Sequence, residues 1–171
     1  MKMYSHIYLT GICIFALTFV GCTSKRGSFT FEVNGVAADV SPDFEAEYDG
    51  YVLTINAGRA FPNLSHLSIF IFTNGPGTYT VAEHTFIYNN HEHSKGGNEA
   101  WYNVTGDQYT GANSILYSTN KDNTGTVIIT SFDKEDKKVS GTFEFKAIQK
   151  KGGSGVMNLK GSFEDVPYKQ K

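Results

Sequence analysis

The sequence predicts an all-β fold, either an antiparallel β-sandwich or a partly closed β-barrel. Three observations carry this. Beyond residue 21 the apolar side chains recur with period two, and no stretch sustains a helical stripe. Clusters of Gly, Asn and Asp interrupt the alternation at short intervals, which divides the chain into roughly nine to eleven strands. The turn chemistry at several breaks is that of hairpins.

Taken in order, Phe29, Phe31 and Val33 alternate with Thr30 and Glu32. Asn34-Gly35 then supplies the two residues with positive φ that a type I′ turn demands, and 36–40 returns. Asp49-Gly50 predicts a second two-residue turn. Counting outward from it sets Tyr48 against Tyr51, Ala46 against Leu53 and Phe44 against Ile55 on an apolar face, with Glu47, Glu45 and Asp43 on the wet one. Leu67 to Phe72 is apolar on both faces except at Ser68, which marks a central strand covered on each side or an aromatic stripe at a cavity mouth. Asn74-Gly75-Pro76-Gly77 ends it. Weaker strands follow at 78–81, 85–88, 100–105 and 114–118. Residues 126–132 run into a charged tip at 133–138, and Val139, Gly141, Phe143, Phe145 and Ala147 face one way on the return. Met157, Leu159, Gly161 and Phe163 share a face of the last strand. The β domain is thus expected over 28–165, with 22–27 as a tether and 166–171 as a polar tail.

The first 21 residues stand apart. A short head carrying Lys2 precedes the apolar run 7–20, which is too short and interrupted for a membrane-spanning helix. Phe19-Val20-Gly21-Cys22 resembles a bacterial lipobox, with Phe19 where Leu is usual. The resemblance implies cleavage before Cys22, a diacylglycerol thioether on its sulfur and a further acyl chain on the new amino terminus. Several chains hold a membrane far better than one, because each buried methylene contributes about 0.8 kcal/mol. Cys13 lies in the discarded segment, so the folded part has neither a disulfide nor a thiolate nucleophile.

Phe31-Glu32-Val33-Asn34-Gly35, Pro76-Gly77-Thr78-Tyr79, 125–130 with Asp133, Gly141-Thr142-Phe143-Glu144-Phe145 and Gly161-Ser162-Phe163 behind a lipobox resemble a group of small Bacteroidota lipoproteins of unassigned function. The resemblance implies an all-β domain in the cell envelope and brings no catalytic residues. Thr23-Ser24-Lys25-Arg26 lacks the acidic cluster associated with surface export. The expected location is therefore the outer membrane facing the periplasm, with surface exposure as the alternative.

Charge excludes some partners. The whole chain carries −2 and the 150 residues after cleavage carry −3, with no basic stripe for nucleic acid and no polybasic patch for anionic lipid. The best cluster for chemistry is Glu83-His84 with His91-Glu92-His93. His91 and His93 share a face of an extended chain and could bind one zinc ion, with His84 or a carboxylate as third ligand. Asp43, Glu45, Glu47 and Asp49 recur every second residue, but their oxygens would spread along a strand at about 6.8 Å intervals, so a solvent face explains them better than calcium. Asn120-Lys121-Asp122-Asn123-Thr124-Gly125 opens like a calcium loop, yet Ser131 stands where its glutamate belongs. No nucleophile elbow, phosphate loop or His-Glu-x-x-His is present.

Trp101, Tyr102, Tyr88 and Tyr109, with Tyr117, crowd a polar region on which a sugar or peptide could stack, while Trp101 can equally anchor a core. The expectation is therefore a non-enzymatic binding or structural module without a cofactor, anchored to membrane by its lipid. Its ligand would be a glycan, a peptide or a small apolar molecule, and its partner otherwise an envelope protein. The alternative is a metal-assisted hydrolase built on His84, His91 and His93.

Overall fold

The computed structural model describes residues 26–58, 65–82, 88–89, 92–93, 97–105, 114–150 and 153–171. Cys22, and with it the signal segment and most of the tether, lies outside them. The strands in chain order are β1 (Ser28–Val33), β2 (Val36–Ala37), β3 (Glu45–Tyr48), β4 (Val52–Gly58), β5 (Ser65–Phe72), β6 (Gly77–Val81), β7 (Tyr88–Asn89), β8 (Glu92–His93), β9 (Glu99–Val104), β10 (Ile115–Ser118), β11 (Gly125–Asp133), β12 (Lys138–Gln149) and β13 (Val156–Gln170). No helix occurs among the described residues, so the all-β expectation holds. Eleven strands form one sheet in the order β2-β1-β13-β3-β4-β5-β9-β10-β12-β11-β6. β13 also pairs with β12, which curls the sheet into a partial ring, while β7 and β8 form a separate ribbon. Every ladder between named strands is antiparallel except that of β13 with β3, so the sheet is mixed rather than purely antiparallel.

Local chemistry sets the hairpins. Asn34 and Gly35 have φ of 52° and 77°, which suits a type I′ turn, and Val33 faces Val36. At the second hairpin the register differs from the expected one by two residues: Tyr48 faces Leu53 and Ala46 faces Ile55. The cause is Asp49, whose Oδ1 accepts the amides of Tyr51 at 2.9 Å and Val52 at 2.7 Å, while Gly50 takes φ of 98°. The turn therefore extends past Gly50 to Tyr51. An even shift leaves the paired side chains on their expected faces, and Ala46, Tyr48, Leu53 and Ile55 are all buried, whereas Tyr51, expected opposite Tyr48, falls in the turn and is exposed.

The core is aromatic where β1, β13 and β12 meet, and glycines make room for it. Cross-strand partners run Phe31–Gly161–Phe143 in one row and Phe29–Phe163–Gly141 in the next. A Cβ on Gly161 would stand 2.6 Å from the Phe143 Cζ, and one on Gly141 would stand 2.7 Å from the Phe163 Cζ. Each ring thus lies over a neighbouring glycine, which explains glycine in the middle of long strands. Phe29 packs 6.1 Å from Phe163 and 5.9 Å from Phe143.

The polar tail expected at 166–171 is corrected: Val166 to Gln170 complete β13. The alternation of Leu159 and Phe163 slips phase at Asp165, where φ is 50° and the amide donates to Ser140 Oγ at 2.9 Å. Val166 and Tyr168 are then buried, and Tyr168 lies beside Ala46 in the parallel pairing. Tyr168 packs against Phe132 and Tyr48 at 5.2 Å and 5.9 Å. Burial foremost lifts both tyrosine phenols above their usual range, helped for Tyr168 by Tyr48 and Asp133. The acidic alternation of β3 also finds partners here, because Lys169 reaches Glu45 at 3.2 Å and Lys171 reaches Glu47 at 2.6 Å.

Candidate functional site

On β4, β5, β9 and β10 the residues that do not face the core form a second surface. Strand pairing places Asn56, Ser68, Trp101 and Ser118 in one row. Gly58, His66, Asn103 and Leu116 form the adjacent row, and Thr54, Phe70 and Glu99 the row on the other side. β5 lies between β4 and β9, and its two apolar faces divide: Leu67, Ile69 and Ile71 enter the core while Phe70 and Phe72 lie on the opposite face.

Trp101 stacks on Phe70, with centroids 5.4 Å apart and planes 12° from parallel. Both rings are half-buried. Ser68 is buried in the same row as Trp101 and donates to Asn56 Oδ1 at 2.8 Å. Ser118, also buried, donates to Glu99 Oε1 at 2.9 Å. Asn103 Oδ1 is enclosed and has no hydrogen-bond partner among the described residues. An acceptor left in that state costs about 1–3 kcal/mol, a cost that folding alone gives no reason to keep. Its neighbour His66 has a pKa below its ordinary 6.5, chiefly through burial and against the opposing pull of Glu45. The imidazole is therefore neutral near pH 7, with one nitrogen donating and one accepting.

The aromatic residues singled out in the sequence do not form one site. Trp101 faces outward, but its neighbour Tyr102 faces the core, where it is 2 % exposed and donates to Ser65 Oγ at 2.7 Å. Tyr102 is thus corrected from ligand-stacking ring to core residue, because consecutive strand positions point to opposite faces. Tyr117 is buried as well. Tyr109 lies outside the described residues. Tyr88 is on β7 opposite His93 of β8, with the backbone alone described. His84 and His91 lie outside the described residues, and among those described no group of three or more His, Cys, Asp or Glu is placed to hold a metal. Asn120 closes its turn by accepting the amides of Asp122 and Asn123 with its own Oδ1, in keeping with a structural loop.

Motif and spacing do not single out Phe70, Ser68, Asn56, His66 and Asn103 as site residues. The two-faced apolarity of Leu67 to Phe72 is their one sequence signal, and cross-strand register supplies the rest.

No curated protein and no solved structure matches the chain. A domain of unknown function, DUF6252, matches residues 40–167, from the approach to β3 into β13 just short of its parallel pairing, and the chain belongs to that family.

Proposed function

We propose that the chain is a lipid-anchored, non-enzymatic binding module of the bacterial envelope, and that it holds a neutral sugar on the outer face of β4, β5, β9 and β10. The carrying observation is the stacked Phe70–Trp101 pair, flanked by the hydrogen-bonding side chains of Asn56, Ser68 and Glu99. An indole face accepts the C–H side of a sugar ring, while the Asn56 amide and the neutral His66 ring offer donors and acceptors for its hydroxyls. The lipobox-like Phe19-Val20-Gly21-Cys22 supports the anchor.

A thermal-shift screen of neutral sugars, peptides and fatty acids tests the ligand. The expected result is a rise in melting temperature with sugars alone, abolished in Trp101→Ala. A rise with fatty acids or peptides alone, or one that persists in that variant, refutes it. Mass spectrometry of the chain from its native host tests the anchor, and a Cys22 without acyl groups refutes that part.

A further inference from the structure

The outward face of β1, β13, β12 and β11 carries a trough, on strands other than those of the Trp101 surface. Strand pairing sets Thr30, Ser162, Thr142 and Ile128 in one row and Glu32, Lys160, Glu144 and Thr126 in the next. Short hydroxyl side chains in the first row stand beside long charged ones in the second, and Gly161 between them adds no side chain, so the surface is hollowed along the rows. The hollow measures about 730 Å³, with Ala37 of β2 towards one end and Ile128 of β11 towards the other. That volume suits a small molecule and the waters that accompany it.

The charged wall has an order. Lys160 lies directly opposite Glu32 on β1 and Glu144 on β12, an arrangement in which opposite charges ordinarily pair. They do not pair here. The ion pairs among the described residues are Arg26–Asp43, Lys138–Asp136, Lys169–Glu45 and Lys171–Glu47, and none involves the trough. Lys146, in the row beyond, lines a neighbouring hollow instead. The wall therefore reads minus, plus, minus across three adjacent strands. On the floor, the Thr30 and Ser162 hydroxyls lie 3.0 Å apart, within hydrogen-bond distance.

We propose that the trough binds a free amino acid with a basic side chain, such as lysine. Its carboxylate meets Lys160, its α-ammonium meets Glu32 and its side-chain ammonium meets Glu144, so that every charge on the wall gains a counter-charge. Ile128 is 41 % exposed on the Glu144 side and gives the methylene stem apolar surface, which favours this order over the reverse. The Thr142 and Ser162 hydroxyls, able to donate and to accept, serve the head groups from the floor. A plain diamine leaves Lys160 without a counter-charge. An amino acid with an apolar side chain leaves Glu144 without one.

Equilibrium dialysis of the full chain in detergent against labelled L-lysine tests this, at about 0.15 M salt so that remote charges are screened. Wild type should hold lysine roughly fivefold or more tightly than norleucine, which lacks the side-chain ammonium, or cadaverine, which lacks the carboxylate. In Glu144→Gln lysine should bind no better than norleucine, and in Lys160→Met no better than cadaverine, with circular dichroism unchanged in both. Trp101→Ala should bind lysine as wild type does. Lysine that is not retained at millimolar concentration overturns the proposal. So do comparators that bind wild type as tightly as lysine, variants that keep the preference for lysine, or a loss in Trp101→Ala, which would put the amino acid on the other face.

Discussion

Gly161→Ala tests whether glycine within β13 is a packing requirement. The new methyl would stand 2.6 Å from the Phe143 Cζ and 2.8 Å from the Phe31 Cβ, and it would also press on the Thr30 carbonyl oxygen. Carbon atoms sit comfortably at about 3.5–4.0 Å, so a ring must retreat by about 1 Å. Phe143 has little room for this, since Phe29 and Phe145 lie 5.9 Å and 5.8 Å from its centroid. The carbonyl belongs to the β1–β13 ladder and cannot rotate aside. Overpacking of a filled core costs about 1–3 kcal/mol, and the backbone contact puts this case at the upper end. At about 2–4 °C per kcal/mol for a domain of this size, the melting temperature should fall by roughly 6–12 °C. Thermal unfolding followed by circular dichroism reads it. Gly75→Ala is the control, because a Cβ there has nothing within 4 Å. Adding Phe143→Leu should cost less in the Gly161→Ala background than in wild type, since it relieves the same clash. A Gly161→Ala protein melting within about 2 °C of wild type would refute the reasoning.

Deleting residues 166–171 should abolish the cooperative melt, since it removes buried Val166 and Tyr168, each supplying about 1.5–3 kcal/mol, along with the pairing to β3. The exposed Lys169–Glu45 pair contributes little by comparison, so Lys169→Ala should shift stability by no more than about 1 kcal/mol in urea titration. His66 gives a pH dependence of defined sign. Its folded pKa lies below the unfolded 6.5, so the unfolded chain binds the proton more readily and the contribution is complete above about pH 6.5 and lost as pH falls below it. His66→Gln should flatten that part of the urea-midpoint profile. Asn103→Leu removes an enclosed acceptor and should raise stability by about 1 kcal/mol in urea titration; a loss of stability would show that Asn103 is satisfied in the folded chain.

What could be read from the sequence, and what could not, comes down to strand phase. Alternation alone assigns Val139, Phe143, Phe145 and Ala147 of β12 to the core, and all four are buried. The β3–β4 register is displaced because the Asp49 carboxylate captures two amides, an interaction that dipeptide turn chemistry does not encode. The displacement is harmless only because it is even. At Asp165 the slip is odd, so Val166 and Tyr168 are out of step with Leu159 and Phe163, and a buried strand end reads as a polar tail. The same parity divides the candidate site. Trp101 and Tyr102 are neighbours in sequence and opposites in space, whereas Trp101 meets Phe70 through the pairing of β5 with β9. Thirty-one positions separate those two rings along the chain. No local spacing joins them, so an outer-face site on this sheet becomes visible only when the order of its strands is known.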